Sequence, residues 1–486
     1  MRRVTQYHLL PVLVLATGMA APAGAQTLQD ALAQAYNNNT TLLAARAQLR
    51  AVDEGVPQAL SGWRPTVVMN GSVGAADQRT RSQLQAFNAD GSFYYRDPVA
   101  TINGVTRPIP GTIRQERTPA AASVTLTQPI FRGGRTVASV RQAENRVLAQ
   151  RARLYQTEQQ VMQDVTTAYV QVIRFQEEVR LNINNEQVLA RQLQATNERF
   201  RVGEITRTDV AQAESRLAGA RASRAAAEGQ LQSARATYQR LVNEAPQRLV
   251  APQPLRVSVR NRDEVQRLAT QNNPAVVAAL FDEAAARDNI DIQMSTLMPQ
   301  VSVTTQAFRN DNTASPHTRV TGGQVTANLS VPIFQGGSEH SLVRQARQTA
   351  QQNRALVEDA RRVAAQQAIS AWETLGSTRA QVESVRSQIR AAEIALDGVQ
   401  REAIVGSRTT LDVLNAEQEL LNARVSLVRA LSDNITGSYT VTASIGRLTA
   451  QDLGLPVETY NMQTYYNAVR NLWVGWGDYA PASAQR

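Results

Sequence analysis

Few side chains in this sequence are equipped for covalent chemistry. Its 486 residues include no cysteine and three histidines, and every basic side chain is arginine. Thiolate nucleophiles, disulfides, thiolate metal sites and lipid attachment through an N-terminal cysteine are therefore excluded. With lysine absent, so are Schiff-base chemistry and the phosphate-gripping lysine of nucleotide loops. His317 and His340 are too few for a histidine-rich metal site. No nucleophile–base constellation or metal-ligand spacing appears, so neither an enzyme nor a cofactor or metal is expected. What remains is electrostatic, and it sits at two turns. Val202-Gly203 is followed by Thr206-x-x-Asp209, and Val405-Gly406 by Thr409-x-x-Asp412. Glycine is the usual left-handed residue closing a helix, and Thr-x-x-Asp is a capping box opening the next. Tight, well-capped helical turns account for these residues locally. Arg408 has no such local duty; it replaces Ile205 of the first turn and marks an asymmetry between them.

The elements that position these turns come in duplicate. Gln128-Pro129-Ile130-Phe131-Arg132-Gly133-Gly134 matches Val331-Pro332-Ile333-Phe334-Gln335-Gly336-Gly337. Pro129 to Pro332 and Val202 to Val405 are both 203 residues apart, which signals an internal repeat. Upstream, Asn38-Asn39-Thr40 resembles Asn272-Asn273-Pro274 and Arg64-Pro65 resembles Met298-Pro299, both at an offset of 234. The 31-residue difference falls in the polar stretch from about Ala76 to Pro119, expected to be a long surface loop. Repeat 1 is placed at 26–248, repeat 2 at 249–448 and a C-terminal tail at 449–486. Each repeat reads helix, strand, loop, strand, Gly-Gly, very long helix, Val-Gly turn, returning helix.

The strands alternate in an unusual way. Val301, Val303, Thr305 and Ala307 face one side and Ser302, Thr304 and Gln306 the other; Val325, Ala327, Leu329 and Val331 oppose Thr326, Asn328 and Ser330. The polar faces carry no charge, which suits a barrel wall between lipid and a wet lumen. Trp63, Phe131 and Phe334 flank the hairpins where a membrane interface would lie. Four strands cannot close a barrel, and open edges are not tolerated in lipid, so the wall must be shared between chains. Two chains would supply eight strands and three would supply twelve.

Arg135 to Val202 contains no glycine or proline. A continuous helix of that length spans on the order of 100 Å. Its apolar positions (Val161, Val165, Ala168, Val172, Phe175, Val179) step by four and three, as do Ala364, Ala368, Ala371, Leu375, Thr378 and Val382 in the second repeat. Such narrow seams make left-handed coiled-coil contacts and leave the remaining surface wet. Gly376 and Gly398 are expected to loosen the second helix. The first 25 residues have the charged start, apolar run and Ala23-Gly24-Ala25 cleavage site of a secretory signal peptide. The net charge of +10 comes from arginines dispersed among glutamines and acids, not from a basic stripe, so nucleic acid is not an expected partner.

At these motifs, and at Ser444-Ile445-Gly446-Arg447-Leu448-Thr449-Ala450, the chain resembles the TolC family of outer-membrane exit ducts over about residues 26 to 453. The resemblance implies a mostly α protein with membrane β: a homotrimer whose twelve-stranded outer-membrane β-barrel continues into a periplasmic α-helical tunnel. It implies work with a periplasmic adaptor (membrane fusion protein) and an inner-membrane ABC or RND transporter. By motif position, Asp209 and Arg408 match a linked acid and arginine of the periplasmic gate, and Asp412 matches an acid ring at the constriction. Ala403 and Asn415 depart from that pattern, where a tyrosine link and a second acid would stand. The helix-tip residues Val202, Gly203, Thr206, Val405, Gly406 and Thr409 become adaptor contacts. Trp63, Pro129, Phe131, Gly133, Gly134, Pro332, Phe334, Gly336 and Gly337 become the strand-to-helix turn at the membrane interface. The tail (Leu453-Gly454-Leu455-Pro456, then Tyr460 and Tyr465) looks like the subgroup paired with type I protein secretion. Multidrug or small-molecule efflux is the alternative. A periplasmic coiled-coil adaptor or scaffold is the rival from another class, but it needs soluble β-domains in place of these strands.

Overall fold

The computed structural model describes residues 26–81, 83–108, 112–477 and 479; the expected signal peptide lies outside the described residues. The first repeat opens with α1 (Leu28–Asn38), α2 (Thr40–Asp53) and α3 (Gly55–Leu60), followed by β1 (Thr66–Val73). The expected irregular loop is instead a ladder of hairpins: β2 (Ala76–Arg81) with β7 (Thr112–Arg117), β3 (Leu84–Phe87) with β4 (Phe93–Arg96), and β5 (Val99–Ile102) with β6 (Val105–Pro108). The stretch lacks a hydrophobic period, so side-chain pattern gave no sign of these strands. Backbone pairing holds them, helped by the Arg114–Asp77 bridge at 2.9 Å.

Next come β8 (Ala120–Arg132), α4 (Arg135–Arg201) and α5 (Arg207–Val242). The second repeat runs α6 (Arg262–Asn272), α7 (Pro274–Met294), β9 (Gln300–Asp311), β10 (Arg319–Ser330), α8 (Ser338–Ile404) and α9 (Thr410–Ser444). The tail ends in α10 (Met462–Val469). Both α4 and α8 are single helices of 67 residues. Gly376 and Gly398 do not interrupt α8, because packing of its seam against neighbouring helices outweighs a glycine penalty of about 1 kcal/mol. Every predicted seam residue of α8 is buried, as are Val161, Val165, Ala168 and Val172 of α4.

One antiparallel sheet has the order β1-β8-β9-β10. Its register puts like against like. Leu126 lies between Val67 and Thr305, Val124 between Met69 and Ala307, and Leu329 opposite Val301. On the other face Gln324 donates to Gln306 at 2.8 Å and Asn328 to Thr304 at 3.2 Å. A one-residue slip would exchange the two faces, so this pattern specifies the pairing. β8 is paired on both sides and runs past Pro129, with a bulge between Pro129 and Phe131, to Arg132. β10 stops at Ser330, short of the Pro332 expected, because it has a neighbour on one side only. β1 and β10 are exposed throughout and present open edges.

The largest core lies at mid-height, where α1, α2, the middle of α4 and the end of α5 enclose Leu32, Leu42, Met162, Tyr169 and Tyr238. The Tyr169 hydroxyl donates to the carbonyls of Gln26 and Val250, both 2.8 Å away, and ties the start of the described chain to the segment joining the repeats. The tail closes over this core through Leu448, Ala450 and Leu455.

Candidate functional site

The two Val-Gly turns lie at the far ends of the long hairpins. The α4 helix ends through Gly203 N–H to Phe200 O (2.9 Å) and Glu204 N–H to Arg199 O (3.0 Å). Gly406 N–H to Ala403 O (3.2 Å) and Ser407 N–H to Glu402 O (3.0 Å) end α8 in the same way. Gly203 (φ +81°) and Gly406 (φ +78°) adopt the left-handed backbone that this closure needs. Both capping boxes form. The Asp209 carboxylate accepts from Thr206 N–H (3.0 Å) and Oγ1 (2.7 Å), while Thr206 Oγ1 accepts from Asp209 N–H (3.3 Å). Thr409 and Asp412 make the same set. Hydrogen bonds from Thr206 hold the Asp209 carboxyl below its ordinary range. Those from Thr409, with Arg408 nearby, do so for Asp412. Both acids are therefore anionic at neutral pH.

Arg408 does have a local duty. Its Nε donates to Glu402 Oε2 at 2.8 Å, across the turn. Within the chain its partner is Glu402 and not Asp209, whose carboxylate is engaged by Thr206. The first turn carries the mirror arrangement: Arg199 donates to Glu204 at 2.7 Å. Arg199 and Glu402 are 203 residues apart, so equivalent helix positions carry opposite charge. Each turn supplies the complement, one position apart, from Glu204 or Arg408. The sequence reading missed these charge-swapped clasps, although aligning the repeats exposes them. It also missed Arg216, which donates to Asn415 at 2.8 Å and joins α5 to α9. Asn415, the position without the second acid, thus serves as a neutral acceptor between hairpins. Leu189, Leu217, Ala220 and Leu414 form a small apolar cluster nearby.

Around the turns Val202, Ile404 and Val405 are exposed. Apolar tips with satisfied backbones and no fold-bearing contacts of their own are suited to receive another surface.

At the other end of the long helices, Gly133 (φ +60°) and Gly134 (φ +84°), like Gly336 (φ +71°) and Gly337 (φ +82°), turn strand into helix. A Cβ on Gly133 would strike Met298 Cβ and approach Ser295 O to 2.8 Å, whereas one on Gly336 would meet nothing within 4 Å among the described residues. Trp63 is partly exposed, and its carbonyl accepts from Gln128 at 3.0 Å. Phe131, Ile333 and Phe334 are exposed. Among the described residues no helix is long and apolar enough to cross a membrane, and no group of three metal-ligating side chains gathers.

Paired long helical hairpins carrying an open-edged sheet with one apolar face are the architecture of a membrane channel protein. The profile of the family described as outer membrane efflux protein matches residues 31–244 and 265–447. The outer membrane efflux protein BepC of Brucella suis is 32% identical, over 94% of this chain and 93% of that one. The outer membrane protein TolC of Vibrio cholerae is 25% identical, over 92% and 97%. The solved structure of CusC superposes with a TM-score of 0.70 at 15% identity, over 86% and 91% of the two chains, and shares the fold. The chain belongs to the outer membrane efflux protein family; it is a TolC-like protein of the outer membrane that extends into the periplasm. The matched family and the solved neighbours are channel proteins. Its relatives include the alkaline protease secretion protein AprF of Pseudomonas aeruginosa, at 24% identity over 69% of this chain and 71% of that one, and the cobalt-zinc-cadmium resistance protein CzcC of Cupriavidus metallidurans, at 26% over 87% and 91%.

Proposed function

We propose that three copies of this chain form a passive exit duct for type I protein secretion, served by a periplasmic adaptor and an inner-membrane transporter. The observation that carries the duct is the pair of open edges. β1 and β10 each have one unpaired edge, and the intrachain contacts between repeats supply a template for closing them. Transposing the β8–β9 register by the two repeat offsets places Leu329 of β10 opposite Gly71 of β1 of the partner subunit. The Arg141–Asp288 contact, 3.5 Å within the chain, becomes Arg344 with Glu54 of the partner subunit. The open space at Gly336 is then filled by Ser61 and Arg64 of the partner subunit, as Ser295 and Met298 fill it at Gly133. Three copies give twelve strands, and no edge remains in lipid.

In this reading the β2–β7 ladder stands at the cell surface and the Val-Gly tips face the adaptor, with Val202, Gly203, Thr206, Val405, Gly406 and Thr409 as contacts. Asp209, Arg408 and Asp412 line the periplasmic gate. A charge link between Arg408 and Asp209 across hairpins helps hold the tip closed in the trimer, beside the Glu402 contact that Arg408 makes within its own chain. Energy comes from the transporter. Support for protein cargo comes from the tail and from relatives named for protease secretion. Small-molecule efflux is the second reading, favoured by the relatives named for efflux and metal resistance. Deleting the gene separates them. Loss of a polypeptide from the medium with unchanged drug and metal susceptibility supports secretion; an intact exoproteome with several-fold greater susceptibility overturns it.

A further inference from the structure

The C-terminal tail does more than cover the mid-height core. It climbs from that core along the outside of α2 to the foot of the sheet, tied at each step. Tyr460 N–H donates to the Tyr36 hydroxyl (2.9 Å), the Tyr465 hydroxyl to Glu54 (2.8 Å), and Arg470 to Glu144 (2.9 Å). At the top Arg64, two residues before β1, donates to Leu472 O at 2.6 Å and lies 4.9 Å over the Trp473 ring. Beyond this clamp the chain turns back. Gly475 has φ +142°, and Tyr479 closes on Gly475 and Gly477 so tightly that a side chain at Gly475 would collide with its hydroxyl. The turn leaves Trp473 66%, Val474 86% and Trp476 102% exposed.

Three of the chain's four tryptophans (Trp63, Trp473 and Trp476) thus gather at the foot of the sheet, just below its apolar face. A tryptophan buries about 150–250 Å² when covered, and its preferred uncovered home is a membrane–water interface, where ring and N–H are both accommodated. We propose that the Trp473–Trp476 turn is a membrane anchor, inserted into the periplasm-facing phospholipid leaflet beside the barrel and fastening the tail to the membrane. The occupant is lipid because the turn is continuous with the aromatic girdle of Trp63, Phe131 and Phe334 and is clamped through Arg64 to the first residues of the lipid-crossing sheet. The proposal rests on the placement of that sheet in lipid.

The absence of cysteine allows single-site spin labelling of the full-length protein in vesicles of phosphatidylethanolamine and phosphatidylglycerol. Labels at Val474→Cys, at Leu329→Cys on the apolar strand face and at Ser407→Cys at the tip are compared for collision with oxygen, which concentrates in lipid, and with a nickel chelate, which stays in water. The Val474 label should resemble Leu329, and should shift to resemble Ser407 when Trp473→Ser and Trp476→Ser are added. A nickel-accessible Val474 label beside an oxygen-favouring Leu329 label overturns the anchor alone. A nickel-accessible Leu329 label overturns the placement of the sheet, and the anchor with it. A Val474 label shielded from both reagents shows a protein neighbour in place of lipid and also overturns the anchor.

Discussion

Asp53, the last residue of α2, offers a sharp test of how the tail is held. It is 1% exposed, and neither carboxylate oxygen has a hydrogen-bond donor. Burial raises its pKa to about 7 from an ordinary 3.8; Arg151 on α4 opposes the shift and the adjacent Glu54 adds to it. Tyr460 of the tail also faces this charge. Because the folded pKa is the higher one, the stabilising effect of the protonated form is complete below pH 3.8 and is lost as pH rises to about 7. At about 1.4 kcal/mol per tenfold change in proton affinity, the whole effect is about 4 kcal/mol. Between pH 5 and pH 8 the local opening free energy of α2 and the docked tail should fall by about 2.6 kcal/mol, close to a hundredfold in opening constant. Hydrogen exchange of the assembled protein, corrected for the intrinsic pH dependence of exchange, reads this at the amides of α2 and α10. Asp53→Asn, which is neutral at every pH and nearly the same shape, should abolish the drop. If wild type and Asp53→Asn lose protection equally across that interval, Asp53 does not ionise as its burial requires and the reasoning fails.

Further tests address the joints and the tips. Gly446 has φ +80°, and a Cβ there would collide with the Asn272 carbonyl where α9 meets the α6–α7 corner; Gly446→Ala should cost about 1–3 kcal/mol in backbone strain alone and lower the thermal midpoint of the helical signal. Replacing Arg408 with Ser removes the Glu402 clasp and should raise single-channel conductance in a planar bilayer; because an exposed pair contributes roughly 0–1 kcal/mol, the increase should be larger when Arg199→Ser is combined with it. Asp412→Ala should weaken cation preference and divalent block of the same channel, and unchanged selectivity would remove Asp412 from the constriction. Arg344→Glu, which the proposed trimer sets against Glu54 of the partner subunit, should make that assembly dissociate at lower temperature in detergent, with monomer and trimer bands on unheated gels as the measure.

The amino-acid sequence determined the repeat, the long helices, the four sheet strands and the capped turns, because each rests on local periodicity or on residues with narrow backbone preferences. Pro129, Gly133, Gly203 and Thr206 announce the same geometry wherever they fall in that order, and their copies 203 residues on confirm it. Tertiary structure alone decided what the side chains do with one another. Arg408 looked unemployed until the turn brought Glu402, six residues earlier, within 2.8 Å. Arg216 and Asn415 lie 199 residues apart and meet because two hairpins stand side by side. The polar ladder of β2 to β7 carries no apolar period, so only backbone pairing reveals it. No local pattern singles out Trp473 and Trp476, which the climb along α2 sets at the foot of the sheet, or Asp53, which is buried only once α4 and the tail pack around it. Local pattern is written in neighbouring residues; burial and charge pairing depend on distances that exist only after the chain has packed.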